Sequence, residues 1–320
     1  MATNVTTVDK PFVEPKRRKY FVDILIRLIK EKPLGTVGAV IVVILLLTGI
    51  FANFLAPYAM NKIDLTATLA GPSAAHVLGT DNLGRDVMSN IIYGARVSMI
   101  IGVLATLLTM VVSIAIGALS ATIGGTFDLI MQRFVDAWMC IPGMMILLIM
   151  MSIMGKGLTQ MILAMAIPGG IGGSRMIRSA VMGIRENQYI EANRAIGATT
   201  GWLMMRHIIP NIAPLIILAA AMQIGGMIMM ESGLSFLGYG VPPGVPSWGS
   251  MLSNEGRQYM EIAPALAFWP GFALALVIFG CNVFGDALRD LMDPRLKGGV
   301  GSYAAPGEKQ RKKIKANLRM

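Results

Sequence analysis

Apolar runs of about 20 residues, the length that carries a helix across a ~30 Å hydrocarbon core, recur along this 320-residue chain and constrain its fold more than any other feature. Six spans are expected, at 35–56, 97–123, 134–154, 158–174, 212–234 and 262–286. Lipid offers main-chain groups no partners, so each span satisfies its own hydrogen bonds as a helix. The alternating pattern of an outer-membrane barrel is not seen. With 54% hydrophobic and 14% charged residues, a soluble α/β enzyme is excluded.

The run GTVGAVIVVILLLTGIFANFLA at 35–56 is too long for a signal h-region, and no A-x-A-like site follows it. It reads as a retained anchor after a basic N-terminal tail, 1–34. An extracytoplasmic segment at 57–96, a five-helix core at 97–290 with an inner loop at 175–211, and a basic C-terminal tail at 291–320 follow. With the N-terminal tail inside, only Lys62, Arg85, Arg96, Lys156 and Arg257 of the 28 Lys and Arg fall on the outer side. This bias places both termini in the cytoplasm. The net charge of +10 then reflects membrane sorting and attraction to anionic lipid heads. The tail EKQRKKIKANLRM at 308–320 is short and lacks aromatics for base stacking, so nucleic acid is not an expected partner.

Several chemistries lack their residues. No G-x-x-x-x-G-K-[ST] loop is present, and MGKG at 154–157 lacks both the leading Gly and the Ser/Thr. There is no H-E-x-x-H, and the only histidines are His76 and His207. Cys140 and Cys281 lie in apolar runs and are expected as small buried hydrophobes, neither disulfide-bonded nor metal-bound. Asp136 lies near the inner end of its span. An intramembrane acid is a candidate relay, but Arg133 sits three residues earlier on the same helix face and offers it a partner. On the outer side, the Pro- and Gly-rich loop at 235–261 is expected to fold back on the membrane, with Trp248 as an interfacial ring.

One segment differs from everything around it: QYIEANRAIGATTGWLMMRHIIPN, 188–211. Tyr189, Ala192, Ala195 and Ile196 fall on one side of a short helix, with Glu191 and Arg194 elsewhere. Gly197 breaks that helix. Thr199 or Thr200 caps a second one, through Trp202 to His207, which Pro210 ends. A small-residue face suits docking into a partner's groove; a passive helix on the membrane surface fits the same pattern.

Glu191-Ala192-Asn193, then Gly197, then Ile209-Pro210, resembles the EAA motif of bacterial ABC-importer permeases, with Asn193 in place of the second Ala. Three further stretches resemble the dipeptide/oligopeptide-type C permeases: LGTDNLGRDVMSNIIYGARVS, ESGLSFLGYGVPPGVPSWGSML (231–252) and FGDALRDLMDPR (284–295). Together they cover most of 75–295.

The resemblance implies an all-α, six-helix type I importer permease with a cytoplasmic coupling helix, in a bacterial or archaeal cytoplasmic membrane. It implies a second related permease, two ATPases contacting 188–207, and an extracytoplasmic binding protein as partners. No cofactor is expected on this chain, with ATP and Mg on the ATPases. Tyr189, Glu191, Ala192, Arg194, Ala195, Gly197 and Pro210 would form the coupling site. Met144, Met145, Met227 and Met230 are candidates for the translocation path, since Met is adaptable; so is Glu231, which the motif suggests equally as a structural bond to the next loop. Di- and oligopeptides are the leading cargo; nickel, glutathione-like peptides, opines and plant-derived oligosaccharides travel through similar relatives. A passive channel or scaffold would leave 188–210 unexplained, and a membrane enzyme lacks a catalytic constellation.

Overall fold

The computed structural model describes residues 20–292. Residues 1–19 and 293–320, which hold most of both basic tails and the end of the 284–295 segment, lie outside the described residues. The described chain is helical and contains no β-strand: α1 (Tyr20–Glu31), α2 (Pro33–Ile50), α3 (Ala52–Leu55), α4 (Val87–Ile123), α5 (Gly125–Met139), α6 (Gly143–Met154), α7 (Leu158–Arg185), α8 (Gln188–Ala195), α9 (Thr200–Leu203), α10 (Ile209–Phe236), α11 (Trp248–Met251) and α12 (Ala265–Met292).

All six expected spans appear as helix. The helices α2, α4, α12 and the run Thr200–Phe236 are each long and apolar enough to cross a membrane. The pair α5 and α6 makes a fifth apolar unit. The sixth, α7, is less apolar but has 28 residues, about 42 Å at ~1.5 Å per residue. Its interior Pro168 does not end it.

Four boundaries differ from the sequence expectation. The span expected at 134–154 is bent by 88° between α5 and α6. Pro142, which caps α6 with an extended ψ of 126°, disfavours helix at Ile141 before it. The helix expected from 97 begins at Val87, because Asp86 caps it: its carboxylate accepts from Ser89 N at 2.8 Å and Ser89 Oγ at 2.7 Å. The helix expected to end at 174 continues to Arg185, which donates to the carbonyl of Ala121 at 2.6 Å. Finally, α1 occupies part of the segment read as a polar tail, because YFVDILIRLIKE alternates Leu/Ile with charge at helical spacing.

Small residues set the helix crossings, as expected where lipid is as apolar as any side chain. Between α4 and α7, Ser113 Oγ donates to the carbonyl of Gly170 at 3.0 Å. A Cβ on Gly117 would overlap the main chain at Ser174 and Arg178. Between α2 and α12, a Cβ on Gly38 would lie 2.7 Å from the carbonyl oxygen of Gly280.

Loops form a cap at the end of these helices where α4 begins. Asp81 Oδ1 accepts from the main-chain N–H groups of Leu83 and Arg85, each at 2.8 Å, closing a turn in which Gly84 takes φ +72°. Arg85 then bridges two carboxylates: Nε donates to Asp81 at 2.6 Å and Nη2 to Glu255 at 2.7 Å. Trp248 is not an interfacial ring as expected. It is buried, packs on Gly94, and its Nε1 donates to the carbonyl of Ile91 at 3.1 Å. The absent side chain at Gly94 is what admits the indole. Glu231 of α10 is fully buried; its carboxylate accepts from Ser235 at 2.8 Å and from Ser98 and Ser232, each at 3.2 Å.

Two outcomes are expected. Gly117→Val should destabilise the folded chain by about 2 kcal/mol or more, since helix main chain cannot give way to the new Cβ; a melt in detergent measures it. Burial, with the Asp81 charge beside it, raises the Glu255 pKa above 4.5 against the pull of Arg85. Its protonated form therefore favours the fold, and that contribution is lost as pH rises through the raised value. Glu255→Gln should gain stability over the parent as pH rises from 4 to 8. Arg85→Ala, which leaves buried Asp81 and half-buried Glu255 without their shared cation, should lose about 3 kcal/mol at neutral pH. Equal pH profiles for parent and Glu255→Gln would refute the account.

Candidate functional site

The opposite end of the molecule, which carries α8, is built around one buried side chain. Ile190 of α8 is fully buried among Ala118, Ala121, Ile177, Val181 and Leu203. This single anchor holds an eight-residue helix that alone would not be stable in water. The expected face of Tyr189, Ala192, Ala195 and Ile196 points outward, and all four are exposed. Glu191 and Arg194 are exposed too and share a recess of about 230 Å³ with Arg185 and Glu186.

Gly197 takes φ +91° and forms the helix C-terminus. Its N–H donates to the carbonyl of Arg194 at 2.9 Å, and Ala198 N–H donates to Asn193 at 3.0 Å. This pair of bonds is the Schellman arrangement, which favours a glycine at the left-handed position. Thr199 Oγ1 then accepts from Trp202 N–H at 3.4 Å, capping α9 as the sequence suggested.

Pro210 does not end this second helix. Residues Met204–Ile208 form a wide π turn in which Ile209 N–H donates to the carbonyl of Met204, and the chain runs on into α10 with Pro210 in its first turn. The wide turn just before it accommodates the proline ring, so the helical run bends its bonding there and does not stop. Asn211 Nδ2 stitches the junction, donating to His207 O at 2.6 Å and Tyr189 Oη at 3.3 Å. Trp202 meets His207 edge-on at 4.9 Å between ring centroids. The result is an exposed surface carrying Tyr189, Ile196, Trp202 and Met205, with Ile196 83% and Met205 71% accessible. These exposed apolar side chains lie on α8 and on the first turns of the run Thr200–Phe236.

The path candidates divide. Met144, Met145 and Met230 are exposed, and Met144 lies beside Gly233 of α10. Met227 is buried in the core with Ile101 and Met165, so it lines no opening here. Glu231 is sealed among Ser98, Ser232 and Ser235. Asp136 ion-pairs with Arg175 and faces Arg133 at 3.4 Å, so its charge is matched. Nearby, Asp128 takes a two-pronged contact from Arg178, at 2.7 and 2.5 Å. These pairs fix α5 beside α7 before the bend. Cys281 is buried as expected, whereas Cys140 is exposed at the bend.

Sequence reasoning missed Ile190, whose lone apolar side chain gave no periodic signal. It also missed Arg85 with Glu255, partners 170 positions apart.

Residues 113–298 match the family described as binding-protein-dependent transport system inner membrane component. Residues 19–72 match the N-terminal TM domain of oligopeptide transport permease C. The chain is 37% identical over 257 residues to the glutathione transport system permease protein GsiD of Pectobacterium atrosepticum, covering 80% of this chain and 85% of that protein. It is 34% identical over 296 residues to the oligopeptide transport system permease protein OppC of Bacillus subtilis, covering 92% and 96%. It is 34% identical over 269 residues to the dipeptide transport system permease protein DppC of Alkalihalophilus pseudofirmus, covering 84% and 88%. Among solved structures it resembles in fold the MetNI methionine ABC transporter in an inward-facing conformation, with a TM-score of 0.51 and 18% identity over 64% of this chain and 97% of that one. The chain belongs to the inner membrane components of binding-protein-dependent transport systems and is a membrane-spanning permease subunit of an ATP-driven importer.

Proposed function

We propose that this permease imports short peptides, pairs with a second related permease, and receives ATP-driven movement through residues 188–207. Both termini lie in the cytoplasm in this reading, with the outer cap facing the binding protein. The observation that carries it is the exposed surface of α8 and α9, where apolar side chains have no cover on this chain. Docked in a groove of a cytoplasmic ATPase, Ala192 and Ala195 allow close approach, while Glu191 and Arg194 make polar contacts. Hydrolysis takes place on the ATPase chains, where ATP and Mg are held. The peptide cargo follows from relatives named for oligopeptide, dipeptide and glutathione transport.

Coupling requires that ATP-bound and ATP-free partners contact this surface differently, since only differential contacts shift a conformational balance. Gly197 sets the angle between α8 and α9. Open space surrounds it, so a side chain fits sterically but meets the φ of +91°. A β-branched residue there is strained by about 1–3 kcal/mol. Gly197→Val should therefore lower peptide uptake about tenfold or more, with normal membrane insertion and weaker co-purification of the ATPases. Gly197→Asn, which tolerates the left-handed region, should retain most uptake. Uptake by Gly197→Val at the parent rate would remove the coupling role.

A further inference from the structure

A cleft of about 410 Å³ opens among the loops of the cap, within the ~300–1,000 Å³ range of small-molecule sites. One wall is the Pro- and Gly-rich loop. Pro242, Pro243 and Pro246 stiffen it, and it is pinned to α10, where a Cβ on Gly240 would overlap Ser235. The remaining walls come from the turn of Asp81 and Arg85, the start of α4, and a second wide turn, Leu252–Gly256. Wide turns of this kind recur at functional sites.

The polar groups of this cleft are unevenly satisfied. Asp81 is saturated: Oδ1 takes two main-chain N–H groups and Oδ2 takes Arg85 Nε. Arg85 Nη2 goes to Glu255 Oε1, which leaves Oε2 with no donor from another described residue. Two carboxylates against one guanidinium leave a net negative charge there. Lys156, between α6 and α7, lines the same cleft, is exposed, and makes no ion pair among the described residues. Asn90 of α4 also lines it, only 6% accessible, with its side-chain amide making no hydrogen bond among the described residues. That amide is not sealed off, since the cleft reaches it. Buried amides are nearly always matched, so this one calls for a group that enters the cleft.

We infer that this cleft is an entry station that holds a short peptide by its two charged ends: the α-ammonium group donates to Glu255 Oε2, and Lys156 Nζ donates to the α-carboxylate. The inference rests on the peptide-import reading and on its placement of the cap towards the binding protein. Free ends are common to all short peptides, so an acid and a base lining one cleft hold them whatever their side chains. The Asn90 amide takes a main-chain group of the peptide.

The test measures equilibrium binding of radiolabelled trialanine at neutral pH to the assembled importer, permeases and ATPases together in nanodiscs, without the binding protein. Trialanine should bind saturably. N-acetyl-trialanine and trialanine amide, each lacking one charged end, should bind about tenfold more weakly or worse, the worth of one hydrogen bond to a charged group. Glu255→Gln should bind trialanine and its N-acetyl form alike, yet still reject the amide; Lys156→Ala should do the reverse. A merely structural role would weaken all three ligands together, and that result in both variants overturns the proposal. So does the absence of saturable binding by an importer that takes up trialanine once its binding protein is added. An importer that takes up no peptide even then, yet transports another cargo, refutes the peptide reading itself.

Discussion

In hydrocarbon a helix gains little by leaving lipid for another apolar surface, so the contact between α4 and α7 has to come from close approach and hydrogen bonds. Gly117 supplies the approach and Ser113, bonded to the carbonyl of Gly170, supplies the bond. Ile101, Ala105, Met161 and Met165 then fill the seam above. The other elements take their positions from this pair. The Asp128–Arg178 and Asp136–Arg175 pairs hang α5 on α7, and Ile190 seats α8 on the inner ends of both. Glu231, bonded to Ser98, fastens α10 to α4.

The two ends of the molecule are stabilised differently, in keeping with their duties. At one end, half-buried ion pairs and a sealed tryptophan tie loops to helices: Arg85 holds Asp81 and Glu255, and Trp248 reaches Ile91. Buried charges tolerate little displacement, because separating them leaves each without its partner. At the other end, α8 rests on one isoleucine and a glycine cap, with most of its surface open. Such lightly held elements are the ones that move at low cost.

Much of this was legible in the sequence because local chemistry decides it. The six apolar runs, the glycine break at 197 and the threonine cap after it follow from residue type and spacing alone. What escaped depended on distant partners. Trp248 reads as an interfacial ring until Gly94, far away in sequence, proves to leave room for it. Pro142 was visible, but the apolar run continues across it, so hydropathy hid the bend. Pro210 reads as a stop, yet the wide turn before it accommodates the ring and the helix continues. At the inner end, the outward face was readable, whereas the anchor was a single residue.

That wide turn also fixes the angular phase of the inner surface. An α-helix turns by about 100° per residue, and a π turn accommodates one residue more than the α-helical count. Trp202 and the Glu231 carboxylate lie on one unbroken run, Thr200–Phe236. Their relative bearing around its axis therefore depends on the extra residue held between Met204 and Ile208. Were that turn to tighten to α-helical bonding, the segment before it would rotate against the rest by about a quarter turn. The aromatic patch would face a different direction with no change in residue content. A single looped-out residue is thus the dial that sets where the inner surface points relative to the anchored outer end.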